Sequence, residues 1–337
     1  MIGDGIVINV SDLTKTFDGK LKAVDAVSFE VKEREIFGFL GPNGAGKTTT
    51  IKMLTTLLRP TSGTATVCGY DITSHPNDVR ASVGIVPQEY TADEDLTGRQ
   101  NITFCADLYG IPRSVSKDRT IELLDLVGLK DAASRKVQTY SGGMRRRLEI
   151  ACGLVNHPRL LFLDEPTLGL DVQTRTAVWD YIKKLKHEYG MTLFMTTHYL
   201  EEADGVCDRI AIIDHGKLVK VGAPDDLKAS LGGDIIELGV REATEDLTPL
   251  ITQSKSVKDV RKTDSTYRIK AELGEEAAPE IIELIRAKGY HVSKISVTKP
   301  SMDQVYLEYT GRTLRDVEAD RAEMFTQRAT LRRARSR

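Results

Sequence analysis

Residues 35–54, "EIFGFLGPNGAGKTTTIKML", contain the pattern from which the fold class follows. Residues 36–41 form a continuous apolar run that ends in glycine, as in a strand buried on both faces, and the residues from Lys47 onward have helical spacing. Between them, Gly41 to Thr48 fill every fixed position of a phosphate-binding loop, in the strand–loop–helix context that this motif requires. The sequence therefore predicts an α/β fold with a nucleotide phosphate site.

The residue types in this loop suit phosphate chemistry. Glycines let the backbone wrap with its N–H groups towards the β-phosphate, and the helix N-terminus adds its positive dipole end. Lys47 can reach the β- and γ-phosphates, and the Thr48 hydroxyl can ligate Mg²⁺. A glycine-rich turn without a nucleotide is the alternative, which the complete motif disfavours. The predicted nucleotide-binding residues of the loop are Gly41, Pro42, Asn43, Gly44, Ala45, Gly46, Lys47, Thr48 and Thr49.

A second motif, "LLFLDE" at 160–165, supplies two carboxylates. Four apolar residues predict a buried strand, and α/β sheets place their ligands beyond the carboxyl ends of such strands. Asp164 is predicted to hold Mg²⁺, directly or through water, and Glu165 to polarise the attacking water as general base. Either carboxylate alone could cap a helix or lie at the surface, but the complete phosphate loop favours the catalytic interpretation.

The remaining pattern predicts how this site is framed. Further buried strands begin near residues 83, 192 and 208, and helices between most of them indicate a parallel sheet flanked by helices. Residues 6–31 alternate in two stretches, which predicts an antiparallel β subdomain, and residues about 93–156 predict a helical subdomain. "IIDHGKLVKVG" predicts a hairpin that turns at His215 and Gly216.

The domain boundaries follow from glycines and composition. Gly232 and Gly233 indicate a boundary between an ATP-binding domain at 1–230 and a small α+β accessory or regulatory domain at 234–311. Residues 312–337 predict a charged helical tail. Its arginines favour a solvated tail, with contact to a partner subunit or to an anionic membrane surface as the alternative.

Composition excludes several classes of protein. A length of 337 residues allows two domains, and 47 basic against 49 acidic residues give no reason to propose a nucleic-acid partner. Four scattered cysteines disfavour a disulfide framework or a zinc site. The absence of a signal-like start predicts a cytosolic chain, and no run of about 18 to 20 apolar residues is present to span a bilayer. If this protein serves a membrane process, another chain is therefore expected to span the bilayer.

These motifs together resemble the ATP-binding subunits of ATP-binding-cassette (ABC) transporters. "YSGGM" at 140–144 is similar to the family signature, "LDEP" at 163–166 to its magnesium-and-base strand, and "GLD" at 169–171 to its dimer-contact loop. Their order and spacing match over residues about 6–230. The resemblance implies a P-loop NTPase core of the ABC ATPase type, ATP and Mg²⁺ as ligands, and a homodimer with two ATPs between the subunits.

The resemblance also implies roles for single residues. Gln88 would ligate and sense magnesium, His198 would be the catalytic switch histidine at the γ-phosphate, and Phe17 would stack on adenine. The residues implied at the γ-phosphate held by the other subunit, and at the dimer contact, are Ser141, Gly142, Gly143 and Asp171.

Some of these residues have a purely structural alternative. A histidine such as His198 at the end of an apolar strand is more often structural, and an aromatic such as Phe17 at a strand end is often packing. The signature departs from the usual residues at its first and last positions, and Arg34 stands where the family commonly has a glycine. The arginines at 145–147 are interpreted as a solvated face or as a link to the partner cassette.

The branch of the family is indicated by "MRRRLEIA" at 144–151 and "KPSMDQVYLEYTGR" at 299–312, which are similar to exporters of the daunorubicin-resistance (ABC-2) type. This implies an ATPase at the cytoplasmic face of the membrane that drives a separately encoded multi-helix permease and exports a hydrophobic drug, antibiotic or lipid-like substrate. The alternatives are export of a polysaccharide or lipid-linked glycan, and a soluble ATPase acting on a ribosome or regulatory complex. The C-terminal domain is expected to stabilise or regulate dimerisation or permease docking.

Overall fold

The computed structural model describes residues 5–19, 21–241, 245–263, 266–311 and 313. The chain divides into two compact units, and the second comprises Pro224–Thr313. The predicted domain boundaries at 230 and 234 stay predictions, and the predicted tail at 312–337 lies outside the described residues apart from Thr313.

The first unit alternates strands and helices along most of its length. In chain order its elements are β1 (Ile6–Phe17), β2 (Leu21–Lys32), β3 (Ile36–Leu40), α1 (Lys47–Leu54), β4 (Ser62–Val67), β5 (Tyr70–Asp71), α2 (Pro76–Ser82), β6 (Val83–Val86), α3 (Gly98–Leu108), α4 (Arg113–Leu126), a 3₁₀ turn (Val137–Thr139), α5 (Gly142–Gly153), β7 (Leu160–Asp164), α6 (Val172–Tyr189), β8 (Thr192–Thr197), α7 (Leu200–Val206), β9 (Arg209–Asp214) and β10 (Lys217–Gly222).

A six-stranded sheet of order β10-β9-β3-β8-β7-β6 carries the site. Its strands are parallel except β10, which pairs antiparallel with β9 at the edge. Every residue of β3, β7 and β8 is buried, as expected for parallel strands covered on both faces. The predicted α/β fold is confirmed, and the carboxyl ends of β3, β7 and β8 meet at one edge, where such sheets bind their ligands.

An antiparallel sheet of order β2-β1-β4-β5 joins this core through aromatic side chains. The Phe29 ring on β2 stacks on Phe37 of β3, with centroids 5.6 Å apart, and Phe194 of β8 lies 5.7 Å from Phe37. Burying each ring contributes roughly 1.5–3 kcal/mol. The pairing of β1 with β2 was predicted, whereas β4 and β5 were not, because residues 62–71 are mostly polar or small.

Two local predictions are confirmed in this unit. The chain between β6 and β7 contains only helices and the 3₁₀ turn, and α3 begins with a capping box formed by Thr97 and Gln100. The β9–β10 hairpin turns at His215 and Gly216, whose φ angles are 47° and 79°. Two successive residues with positive φ are what the type I′ turn of a two-residue hairpin requires.

The second unit has a split β-α-β-β-α-β arrangement. Its elements are α8 (Pro224–Ala229), β11 (Asp234–Arg241), α9 (Thr248–Ile251), β12 (Val257–Thr263), β13 (Thr266–Ala271), α10 (Gly274–Ala287), β14 (His291–Thr298) and α11 (Met302–Thr310). The strand order is β12-β13-β11-β14, all pairs antiparallel. Ile281 and Ile285 of α10 are buried in this unit's own core. Among the described residues of both units, no helix is long and apolar enough to cross a membrane.

Candidate functional site

The phosphate-loop residues lie between β3 and α1 with no room for side chains at two glycines. A Cβ at Gly41 would lie 2.2 Å from the Ile213 carbonyl oxygen, and a Cβ at Gly46 would lie 2.4 Å from that of Ala23. Gly46 also has a φ of 109°, which L residues with side chains rarely adopt. The loop is therefore held against the ends of β2 and β9 by its backbone, which leaves that backbone available to a phosphate.

Lys47 begins α1 and is buried with its ammonium group inside the loop. Its Nζ donates to the carbonyl oxygens of Gly41 at 2.7 Å and Pro42 at 3.2 Å, and lies 3.0 Å from Oε1 of Glu165. This cation is thus positioned between the phosphate loop and the end of β7. Phosphate oxygens that enter the loop would compete with Glu165 for the same N–H groups.

Asp164 lies at the centre of a hydrogen-bonded group of oxygen atoms. Its Oδ1 accepts from the Thr48 hydroxyl at 3.2 Å and from the Thr196 hydroxyl at 2.6 Å. The Thr196 hydroxyl in turn accepts from the Glu165 backbone N–H at 3.0 Å. A carboxylate and a hydroxyl this close are hard oxygen donors of the kind that Mg²⁺ prefers, so the donor set of Thr48 and Asp164 fits a magnesium site.

Glu165 has a constrained backbone and two basic neighbours. Its φ is 47°, a left-handed value that is uncommon for a residue with a side chain and that clusters at functional sites. Its Oε2 lies 3.2 Å from Nδ1 of His198, and its other oxygen faces Lys47. Burial disfavours the charged carboxylate, but His198 and Lys47 outweigh it and hold the pKa of Glu165 below its ordinary value. Glu165 is therefore ionised at neutral pH, as a proton acceptor must be.

Two predicted residues lie at the margins of this group. Gln88 follows β6, the strand that pairs with β7, and its side chain is exposed. Phe17 ends β1 with 38% of its surface exposed, and the Lys15 ammonium lies 5.3 Å from its ring centroid. The contacts given above for Lys47, Asp164 and Glu165 include neither side chain. An exposed aromatic that is not packed in the core remains available for stacking.

The signature residues form a second group with the Asp171 loop. Ser141 caps α5 by accepting from the Met144 N–H at 3.3 Å, and a Cβ at Gly143 would lie 2.5 Å from the Thr174 side chain. Asp171 caps α6 by accepting from the Thr174 hydroxyl at 2.6 Å and its N–H at 3.0 Å, and these bonds lower the Asp171 pKa. Two helix N-termini, which favour anions, therefore begin side by side at an exposed surface.

Arg146 corrects one interpretation of the sequence. Its side chain is only 1% exposed, so the prediction of a solvated face is wrong at this position. Its guanidinium donates to the carbonyl oxygens of Pro87 at 2.7 Å, Gln88 at 3.1 Å and Glu165 at 3.2 Å. The signature helix is thereby tied to the segments that carry Gln88 and Glu165. The burial of Arg146 depends on contacts with segments far away in the sequence, so the run of three arginines does not distinguish it from its neighbours.

The neighbouring arginines also bind within the chain. Arg145 forms an ion pair with Glu94, and Nη1 of Arg147 donates to the Val127 carbonyl oxygen at 2.8 Å. Both side chains are partly exposed, and both contacts hold α5 within the helical segment.

Glu202 is a further buried carboxylate that the sequence did not reveal. It accepts from the hydroxyls of Thr167 and Thr197 and from the indole N–H of Trp179, the last at 2.9 Å. These bonds connect the segment after Glu165, the end of β8 and α6. They tie the end of β8, which His198 directly follows, to its neighbours.

Comparison with known proteins identifies the family. Residues 24–168 match the family described as ABC transporter, and residues 222–310 match the C-terminal domain described as ATP-binding protein DrrA1-3-like. The chain is 41% identical to the daunorubicin/doxorubicin resistance ATP-binding protein DrrA of Streptomyces peucetius, over 94% of this chain and 96% of the relative. The chain belongs to the ABC transporter family of ATP-binding proteins. As a member of this family it is an ATPase.

Two further likenesses agree with this membership. The chain is 39% identical to the linearmycin resistance ATP-binding protein LnrL of Bacillus subtilis, over 92% of this chain and all of the relative. A dimeric ABC cassette solved in a post-hydrolysis state, with ADP and phosphate bound, superposes with a TM-score of 0.57 at 26% identity, over 64% of this chain and 98% of that one. The residues that match the ABC transporter family, 24–168, include both the strand–loop–helix segment and the signature segment described above.

Proposed function

We propose that the chain is the ATP-hydrolysing subunit of an exporter, where it energises a separate membrane permease that moves a hydrophobic drug, antibiotic or lipid-like substrate. ATP hydrolysis is supported by three contacts at the carboxyl edge of the sheet. They join Lys47 to Glu165, Thr48 to Asp164, and His198 to Glu165. The export part is supported by resistance proteins from two bacteria that match along nearly the whole chain.

The loop and Lys47 bind the ATP phosphates in this proposal. The backbone at residues 41–49 surrounds the β-phosphate, and the Lys47 ammonium contacts the β- and γ-phosphates, where fixed positive charge favours the transferring group. Thr48 and Asp164, with the amide oxygen of Gln88, would hold Mg²⁺. When bound, the ion would neutralise negative charge on the phosphates during the transfer. Phe17 would stack on the adenine ring.

Glu165 and His198 act on the attacking water. The Glu165 carboxylate, ionised at neutral pH, accepts the proton from water as that oxygen bonds to the γ-phosphorus. The bond from this phosphorus to the bridging β-phosphate oxygen breaks, which releases ADP and phosphate. His198, held 3.2 Å from the same carboxylate, orients the water and donates to a γ-phosphate oxygen. The left-handed backbone of Glu165 fixes the direction in which the carboxylate leaves the strand.

The signature group completes the site of a second copy. Ser141, Gly142 and Gly143 present the N-terminus of α5, and Asp171 lies beside them at the start of α6. We infer that these residues contact the γ-phosphate held by the partner's loop, so that two ATPs lie between two chains. The N-terminus of α5 lies at an exposed surface, and Ser141 caps it. A phosphate held by another subunit could therefore approach it from outside the chain.

The partner that spans the membrane is a separately encoded permease, which places this chain at the cytoplasmic face of the membrane. No nucleic-acid partner is proposed, since the formal net charge is −2. The second unit is assigned to assembly, through dimerisation or permease docking.

Replacing Glu165 with Gln tests the proposed chemistry. The variant should bind ATP as tightly as the wild type, hydrolyse it at least about 100-fold more slowly and accumulate as an ATP-dependent dimer, because it keeps the shape of the base without its charge. Glu201→Gln is the matched control, since Glu201 is an exposed glutamate on α7. Phosphate release and sedimentation measure the two effects. Unimpaired turnover in Glu165→Gln would exclude Glu165 as the base.

A further inference from the structure

Two side chains outside the hydrolytic group contact each other and His198 in series. The His198 imidazole and the Tyr199 ring have centroids 4.1 Å apart, with their planes at 40°. The Arg175 guanidinium lies over the Tyr199 ring, and its central carbon is 4.2 Å from the ring centroid. Arg175 belongs to α6, whereas Tyr199 directly precedes α7. The series therefore joins the beginning of α6 to the histidine that follows β8.

The backbone of Tyr199 is fixed by hydrogen bonds on both sides. Its N–H donates to the Thr197 hydroxyl at 2.9 Å, and its carbonyl oxygen accepts from the N–H groups of Glu202 and Ala203, each at 3.2 Å. The freedom that remains is rotation of the side chain. Both contacts of this side chain given above involve the ring and not the hydroxyl group.

Arg175 has an environment that favours this contact. It lies in the first turn of α6, where its backbone N–H donates to the Asp171 carbonyl oxygen at 2.9 Å. Its Nε is buried and has no hydrogen-bond partner within the described part of the chain. A cation is attracted to the electron-rich face of an aromatic ring, and more strongly where water is excluded. This attraction holds the Tyr199 ring towards α6.

The orientation of His198 is not set by its carboxylate neighbour alone. Its side chain is 9% exposed, and its Nδ1 lies 3.2 Å from Oε2 of Glu165. Both atoms are buried, yet neither has an aligned hydrogen bond in the residues that the structure describes. Close approach without alignment leaves the tilt of the imidazole undetermined. The Tyr199 ring is the neighbour that lies against the imidazole itself.

We propose that Tyr199 and Arg175 are positioning residues, which hold the His198 imidazole at the angle from which it meets the attacking water and the γ-phosphate. This inference rests on the role of His198 in the proposed function. Tyr199 and Arg175 act on the reaction through His198 and not by touching ATP. Since a misplacement of about 1 Å can cost about 100-fold in rate, they affect the chemical step more than ATP binding.

Single-turnover hydrolysis, with the full-length chain in excess over ATP, tests the proposal. Tyr199→Leu should lower the rate constant about tenfold and leave the Kd for ATP unchanged, because the imidazole loses its neighbouring ring. Tyr199→Phe should restore the wild-type rate, since the ring makes both contacts. Tyr189→Leu is the matched control, because Tyr189 is an exposed tyrosine at the end of α6, and it should hydrolyse ATP like the wild type.

A double-mutant cycle with His198→Ala shows whether the effect passes through the histidine. In the His198→Ala chain, Tyr199→Leu should cause no further loss of rate. An equal further loss there would overturn the proposal, because the tyrosine would then act elsewhere. Full activity of a folded Tyr199→Leu chain beside a slow His198→Ala chain would overturn it as well. Full activity of His198→Ala would instead contradict the proposed role of His198, and this inference with it, so the two failures are distinguishable.

Arg175→Met tests the same series from α6 without removing either ring. It should lower the rate constant about threefold, because the attraction that holds the tyrosine is lost. The proton signal of the His198 imidazole, assigned by its loss in His198→Ala, reports the neighbouring ring in the nucleotide-free chain. This signal should move in Tyr199→Leu and Arg175→Met and stay in Tyr199→Phe and Tyr189→Leu. An unmoved signal in Arg175→Met would overturn the role assigned to Arg175.

Discussion

The phosphate loop and the signature segment both present a helix N-terminus to an anion, but they differ in what surrounds it. At the loop, Lys47 is buried and contacts Glu165, which in turn faces His198. At the signature, Ser141 and Gly142 are exposed, and their neighbours are the capped start of α6 and the Tyr90 side chain. One region thus assembles the proposed hydrolytic groups within a single chain, while the other lies at an exposed surface. This difference supports the proposal that the two similar-looking motifs serve different copies of the molecule.

The largest expected effects come from disabling each region separately. Lys47→Ala should weaken ATP binding and reduce hydrolysis by at least about 100-fold, because the phosphates lose a buried cation. Ser141→Arg should leave ATP binding by the single chain largely intact and yet abolish dimerisation and hydrolysis, because a bulky side chain blocks the surface offered to the partner. Nucleotide affinity by fluorescence titration and dimer formation by sedimentation separate the two outcomes. Loss of ATP binding in a folded Ser141→Arg chain would contradict the proposal that the signature does not bind the nucleotide of its own chain.

A smaller effect concerns the residue that links the two regions. Arg146→Met should lower the free energy of unfolding by about 3 kcal/mol, since three carbonyl oxygens on two loops lose their donor. Arg145→Met is the matched control, and it should cost less than about 1 kcal/mol, because it removes a partly exposed ion pair with Glu94. Urea denaturation of both variants measures the difference. An equal loss of unfolding free energy in the two variants would show that Arg146 does not hold the signature helix to the end of β7.

The smallest expected effect is a pH dependence of the free energy of unfolding that comes from Glu165. The pKa of Glu165 is lowered in the folded chain from an ordinary value of 4.5, so its ionisation stabilises the fold above that pH. This contribution should disappear as the pH falls through the lower, folded-state pKa. The difference in unfolding free energy between the wild type and Glu165→Gln, measured from neutral to acid pH, should change over this window. A difference that is constant with pH would mean that Lys47 and His198 do not stabilise the carboxylate.

Most of the first region could be predicted from the sequence, because its residues belong to contiguous motifs on buried strands. The apolar runs at β3, β7 and β8 predicted the parallel sheet, and parallel strands bring their carboxyl ends to one edge. The sequence left open whether β8 lies next to β7, and the structure pairs these two strands, which brings His198 to Glu165. The roles assigned to these residues remain predictions until the variants above are measured.

The contacts that the sequence did not reveal depend on segments far apart in the chain. Arg146 and Glu202 are buried because carbonyls and hydroxyls from several loops surround them, and no local period marks such a position. The strands β4, β5 and β12 were also missed, since their pattern is polar and their pairing is set by neighbours. Arg34 is an intermediate case. It has a φ of 61°, so the turn keeps the conformation that a glycine would adopt more easily.

Mixing two inactive variants tests whether the signature segment serves the partner's nucleotide. Lys47→Ala and Ser141→Arg chains are mixed in equal amounts, assayed for ATP hydrolysis and sedimented to measure the mixed dimer. The mixed dimer carries one Ser141→Arg side chain at its interface instead of two, and it contains one site with an intact loop from the Ser141→Arg chain and an intact signature from the Lys47→Ala chain. We predict that the mixed dimer forms and that mixing restores hydrolysis. If each signature served the nucleotide of its own chain, no intact site could form, and a mixed dimer as inactive as its components would contradict the proposal.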